Sequence, residues 1–164
     1  MLSSKGYGEA GRMYAIFTRE LGLVYASAQG VRKMSSKLRF VLQDFAYINV
    51  DLVQGKDYWR ITTASKTNQL EEIVKKPEAL KIFKNIANLL RRLLAGVEKN
   101  ESLFAALLDG LFQLESAKIE KLEDIETNIV LMVLDKLGYI KSAKVKNRAE
   151  AIIIINQALR ETHL

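Results

Sequence analysis

The sequence predicts an α+β protein, mainly α by residue count, in which a small β-barrel or sandwich precedes a helical bundle. Three observations lead there. The hydrophobic period changes from two to that of a helix near residue 66. Nine of the 13 aromatic residues fall before that point, as a strand-rich part requires. Hydrophobic residues make up 49% and charged residues 27% of the 164, the balance of a globular chain. A chain this long holds one compact domain or two small ones, and the expected division is 1–66 and 67–164.

Four β-rich runs occupy the first part: Met13–Thr18, Leu23–Ala28, Ala46–Val53 and Tyr58–Ala64. In Tyr47–Val53, Ile48, Val50 and Leu52 alternate with Tyr47, Asn49 and Asp51, the period of a strand with one buried face. Gln54-Gly55-Lys56-Asp57 then makes a hairpin with Tyr58–Thr63. Thr18–Gly22 joins the two earlier strands in the same way. Short strands linked by tight turns fit a small barrel or sandwich.

Helices follow. Pro77–Ala95 begins at Pro, stops before Gly96, and lines up Leu80, Phe83, Ala87, Leu90 and Leu94 on one face. Asn100 caps a second helix to about Ala117, which buries Leu103, Phe104, Leu107, Leu108, Leu111 and Leu114. A third covers Leu122–Leu137 and is stopped by Gly138. A fourth covers Asn147–Thr162. The connections are short, so a compact antiparallel bundle is expected.

The net charge of +6 is uneven. Ten Lys/Arg against five Asp/Glu leave residues 1–70 at +5, while fifteen against fourteen leave residues 71–164 at +1. A positive field confined to one half points to an anionic partner, nucleic acid or an acidic membrane surface; the plainer reading is solubility. No apolar run is long enough to span a bilayer, and Met1–Arg12 lacks the apolar stretch of a secretory signal. With no cysteine and one histidine, His163, there is no disulfide framework, no Cys–His pair and no thiolate or His-cluster metal site. A reducing cytoplasm fits, and no metal and no cofactor are expected.

Gly6-Tyr7-Gly8-Glu9-Ala10-Gly11 spells G-x-G-x-x-G. A dinucleotide site needs a full strand before this motif, a helix after it and an acid about 20 residues on. Those are not in place, so the stretch reads as a turn-rich loop. The stronger signal is Gly30–Arg39, where Arg32, Lys33, Lys37 and Arg39 lie in an acid-free interval between Glu20 and Asp44. Cations on a strand-connecting loop reach phosphates, and nearby backbone and Ser hydroxyls add hydrogen bonds. Lys5, Arg12 and Arg60 extend this track. Tyr25, Tyr47 and Tyr58 are read either as stacking platforms for bases or as packing against the helices. Lys81, Lys84, Arg91 and Arg92 form a basic edge on the first helix, either a solvated face or a dock for an acidic peptide with Leu80, Phe83 and Leu94 beside it. The pairs Glu71-Glu72 and Glu123-Asp124 read as solvated charges. No catalytic constellation is present, so no enzyme is expected.

Together these segments resemble the RecO family of bacterial recombination mediators over most of the chain. Tyr7-Gly8-Glu9 with Arg12 resembles its Y-G-E-x-D-R segment. Phe17–Gly22, Gln29–Lys33, Ser36–Arg39, Leu42-Gln43-x-Phe45 and Leu137-Gly138-Tyr139 resemble later stretches. The resemblance implies an OB-fold barrel that binds nucleic acid and a helical domain that binds partners. It implies binding of single- and double-stranded DNA, strand annealing and help in loading the recombinase RecA. RecR and the acidic C-terminal tail of single-strand DNA-binding protein are the implied partners, in the cytoplasm at the nucleoid. The runner-up is an interaction adaptor with negligible DNA affinity.

The chain departs from the family pattern in three places. Gly11 stands where the family has an acid. Many members carry a four-cysteine zinc module after L-G-Y, whereas Ile140–Lys146 here leads straight to the last helix. The family's first strand starts several residues earlier, so either the chain is truncated or its barrel is incompletely closed, with an open edge.

Overall fold

A computed structural model describes residues 1–161 apart from 95, 97, 141–144 and 146. Among the described residues, five strands are followed by four α-helices: β1 (Ser3–Tyr7), β2 (Gly11–Thr18), β3 (Gly22–Ala28), β4 (Ile48–Gln54), β5 (Trp59–Lys66), α1 (Pro77–Leu93), α2 (Glu101–Ser116), α3 (Leu122–Lys136) and α4 (Arg148–Glu161). The expected helix ends at Ala95 and Thr162, His163, and most of the stretch after Ile140 lie outside the described residues.

The strands form one sheet in the order β1-β2-β3-β5-β4. All neighbours are antiparallel except β3 and β5, which run parallel. This is the partly open five-stranded Greek-key barrel of the OB fold. Alternation sends side chains to two cores. Tyr14, Ile16, Val24, Ala26, Ala28 and Ile61 point into the barrel, where Val31 and Leu42 of the β3–β4 loop join them. Ala15, Phe17 and Leu23 point outward and share a second core with Leu90, Leu103, Leu114, Val133 and Leu134 of the helices. The helices thus cover one end of the sheet's outer face and leave the other end free.

The glycine stretch needs a correction. It is not wholly loop: Ser3–Tyr7 pairs with Gly11–Ala15 as a hairpin. Ser3-Ser4-Lys5-Gly6 has little β propensity of its own, and the strand is imposed by the hydrogen bonds that β2 offers. A Cβ on Gly11 would lie 2.6 Å from the Tyr7 carbonyl oxygen, so glycine serves the tight turn, not a dinucleotide.

β1 and β4 are the sheet edges and share no ladder among the described residues. Met1 bridges them at one end. Its amine donates to the Ala46 carbonyl at 2.9 Å, and the Phe45 N–H donates to the Met1 carbonyl at 3.1 Å. Burial lowers the pKa of this amine from 8.0 to about 6, against the opposing pull of the Asp44 carboxylate. The unfolded chain therefore binds more protons than the folded one between those values, and stability must rise with pH across that window. Full stabilisation stands above pH 8 and is lost as pH falls to 6, a change of about 2–3 kcal/mol at ~1.4 kcal/mol per unit. Urea denaturation at pH 6 and pH 8 checks this. An N-acetylated chain should show no step from this group.

The helices follow their signals closely. The Asn100 side chain accepts from the Leu103 N–H at 2.9 Å and caps α2, and Asn147 accepts from Glu150 N–H at 2.9 Å at the start of α4. The buried face of α1 is Ala79, Ile82, Phe83, Ile86, Ala87, Leu90 and Leu93, whereas Leu80 and Leu94, expected inside, are only half-buried. α3 packs against α1, α2 and α4.

Candidate nucleic-acid interface

One end of the barrel gathers three connections: the β1–β2 turn, the β4–β5 turn and the start of the long β3–β4 loop. The loop leaves β3 through Gly30, docks its backbone with an Arg32 N–H to Ala10 carbonyl bond of 3.0 Å, and buries Val31 and Leu42 in the barrel. Those two apolar anchors hold a polar stretch that would otherwise be free to sample many shapes. A short 3-10 turn, Lys37–Phe40, sits between them.

The anchored loop presents its cations in two groups. Arg32 and Arg39 turn back toward the barrel and, with Arg12 of β2, rim an open cleft floored by Tyr14, Val31 and Leu42. Arg32 Nη1 donates to the Glu9 carbonyl at 3.4 Å. Arg39 lies with its guanidinium 4.6 Å from the Phe40 ring centroid and Nη1 3.1 Å from Met34 Sδ. Gln43 donates to the Arg39 carbonyl. Lys33 and Lys37 point outward and are exposed. None of these five cations has a carboxylate partner among the described residues, although Lys66, Lys75, Lys99 and Arg148 do. Unpaired cations on one rim make a positive potential that attracts a polyanion.

Lys5 and Arg60 are not in the cleft. The pairings Lys5↔Met13, Met13↔Ser27 and Ser27↔Arg60 put both on the outer face of the sheet. Tyr25, two residues from Ser27, shares that face and is 45% exposed. Tyr58 packs edge to face on Tyr7, with ring centroids 5.5 Å apart, and the two hydroxyls touch across the hairpin turns. Tyr47 is elsewhere. It is half-buried against the helical core, and its carbonyl accepts from Thr67 Oγ1 at 2.8 Å. For Tyr47 the packing alternative describes its surroundings.

Two aromatics escape sequence reasoning. Tyr7 enters only as part of the Tyr7-Gly8-Glu9 segment, with no sign there of a ring available to bases. Phe40, 61% exposed on the basic loop, lies outside any strand period and is visible only once the loop is folded. Tyr14 is fully buried, and its hydroxyl has no hydrogen-bond partner among the described residues. Burial pushes its pKa up, the Arg12 guanidinium opposes this electrostatically without meeting hydrogen-bond geometry, and the Asp44 carboxylate adds to the rise.

On α1, Lys81, Lys84, Arg91 and Arg92 are all exposed. Phe83 does not flank a surface slot there, because it is buried with its ring 5.2 Å from that of Phe45. Among the described residues no group of three or more His, Cys, Asp or Glu is gathered as metal ligands, and no helix is long and apolar enough to cross a membrane.

Residues 1–70 match the family model described as Recombination protein O N terminal. The chain is 30% identical over 139 residues to a DNA repair protein RecO of Heliobacterium modesticaldum, covering 85% of this chain and 50% of that protein. It is 31% identical over 127 residues to a DNA repair protein RecO of a Synechococcus strain, covering 70% of this chain and 43% of that one. A DNA repair protein RecO of Desulfitobacterium hafniense is 27% identical over 139 residues, again 85% of this chain and 50% of the relative. The chain spans about half the length of the curated relatives it matches. The OB-type barrel and the helices after it agree with these likenesses: the chain is similar to DNA repair proteins RecO, and its first 70 residues match the N-terminal model of that family.

Proposed function

We propose that the chain is a non-catalytic DNA-binding recombination mediator: it binds and anneals single-stranded DNA and assists recombinase loading in recombinational repair. The observation that carries this is the set of five cations, Arg12, Arg32, Lys33, Lys37 and Arg39, without a carboxylate partner among the described residues and gathered on the barrel and its β3–β4 loop. Lys5 and Arg60 continue the positive surface onto the outer face, where Tyr25 and the Tyr7–Tyr58 pair present rings to bases. Phosphate contacts of this kind carry no sequence information, so binding should be nearly sequence-independent.

Likeness to relatives that are named for DNA repair supports the setting. In that setting the chain works at the cytoplasmic nucleoid with RecR, with the acidic tail of single-strand DNA-binding protein, and indirectly with RecA. The exposed Lys81, Lys84, Arg91 and Arg92 supply cations for an acidic tail, and this favours an adaptor as the second reading.

A titration of single-stranded DNA across a salt series tests the first reading. Log affinity should fall linearly with log salt at about −0.7 per phosphate neutralised, hence about −3 to −4 for the five-cation rim. Absence of binding at about 50 mM salt would overturn the DNA reading and leave the adaptor.

A further inference from the structure

The cleft at the barrel end is built for something narrower than a strand passing over it. Gly6 and Arg12 are directly paired across β1 and β2. Where Gly6 lacks a side chain, Arg32 Nη1 lies 4.0 Å from the position a Cβ would take. Arg12 Nη1 donates to Ser4 Oγ at 3.1 Å, and Arg12, Arg32 and Arg39 line the same cleft. Like charges gathered in this way repel unless an anion sits between them. The carboxylates near them do not serve. Glu9 offers Arg32 its carbonyl and not its carboxylate, and Asp44, whose carboxylate acts on Tyr14 and on the Met1 amine, is outside the cleft lining, with Oδ1 buried and without a hydrogen-bond partner among the described residues. At the floor lies the Tyr14 hydroxyl, buried and without a hydrogen-bond partner among the described residues, although most buried polar groups have one.

Building on the DNA-binding reading above, we propose that this cleft binds the terminal phosphate monoester of a DNA strand, held by Arg12, Arg32 and Arg39 with the Tyr14 hydroxyl as a further donor. An internal phosphodiester carries one negative charge and has chain leaving on both sides. A monoester carries nearly two charges at neutral pH, exposes three oxygens and has chain leaving on one side only. Three cations around a floored cleft complement the second shape. Arginine's planar fork is suited to such oxygens.

The test compares one oligonucleotide in three forms, with a 5′-phosphate, a 3′-phosphate or neither, by fluorescence titration with the full chain. A phosphorylated end should bind about tenfold tighter than the unphosphorylated strand, roughly what one or two charge-assisted hydrogen bonds supply. The 5′ and 3′ arms tell which end is taken. In Tyr14→Phe, which removes only the hydroxyl, and in Arg39→Gln, on a half-buried loop residue, the ratio of phosphorylated to unphosphorylated affinity should fall toward one. Equal binding of all three forms overturns the proposal and leaves general DNA binding intact. If no form binds, the DNA reading fails, and titration of inorganic phosphate against the arginine side-chain NMR signals decides for the pocket. Shifts at Arg12, Arg32 and Arg39 support it, and unmoved signals overturn it.

Discussion

Changing Arg32, Lys33, Lys37 and Arg39 together to Ala is expected to weaken binding of single-stranded DNA about 10²–10³-fold at ~0.1 M salt, with the deficit shrinking as salt rises toward 1 M. The reasoning is thermodynamic release. Each loop cation that meets a phosphate frees about 0.7 of a condensed counterion from a single strand, so four lost cations flatten the log–log slope by about 3. Arg12 remains, and so do Lys5 and Arg60 on the outer face, so binding should fall without vanishing. The fold should survive, because Lys33 and Lys37 are exposed and the loop is anchored by Val31 and Leu42, which the variant keeps. An unchanged salt slope in a folded variant would remove this loop from the interface.

Gly22→Ala is expected to destabilise the fold strongly. Gly22 opens β3 with φ of 70°, and a Cβ there would lie 2.0 Å from the carbonyl oxygen of Glu98 in the α1–α2 connection. The left-handed conformation costs an alanine about 1–2 kcal/mol. The clash is with backbone, which cannot swing aside as a side chain can, and adds about 1–3 kcal/mol. The turn is also fixed from within: Thr18 Oγ1 donates to the Gly22 carbonyl at 3.1 Å and accepts from the Leu21 N–H at 3.0 Å. A loss of roughly 2–5 kcal/mol in denaturant unfolding is expected. A loss under about 1 kcal/mol would mean that the connection does not rest on this turn in solution.

Much of the fold is legible because its signals are local. Asn100 and Gly138 mark helix ends through groups within one turn of themselves, and the alternation of Ile48, Val50 and Leu52 declares a one-faced strand. β1 is not legible, because what makes Ser3–Tyr7 a strand is the free edge of β2, a fact about a neighbour. The same holds at the candidate site. The cations of the Gly30–Arg39 loop stand out by composition alone, yet their division does not. Cross-strand register decides that Arg12 lines the cleft while Lys5 and Arg60 lie on the outer face, and register depends on pairing that no short stretch encodes. Tyr47 shows the limit from the other side. In sequence it resembles Tyr25 and Tyr58, and only the arrival of the helices beside β4 separates it from them.

The parallel seam between β3 and β5 consists of two pairs, Ala26↔Trp59 and Ser27↔Arg60. The barrel is thus a three-stranded meander and a hairpin, each assembled from neighbours in the chain, stitched at one narrow place. Hairpins form within microseconds, but the stitch must wait for the closure of everything between residues 28 and 48, the segment that carries the loop cations. That segment is the covalent strap across the narrowest join of the sheet. An anion held jointly by Arg12 on the meander and Arg39 on the strap binds only while the two are together, so by linkage it raises the free energy needed to part them. Occupancy of the cleft and the resistance of the barrel to local opening are then coupled quantities.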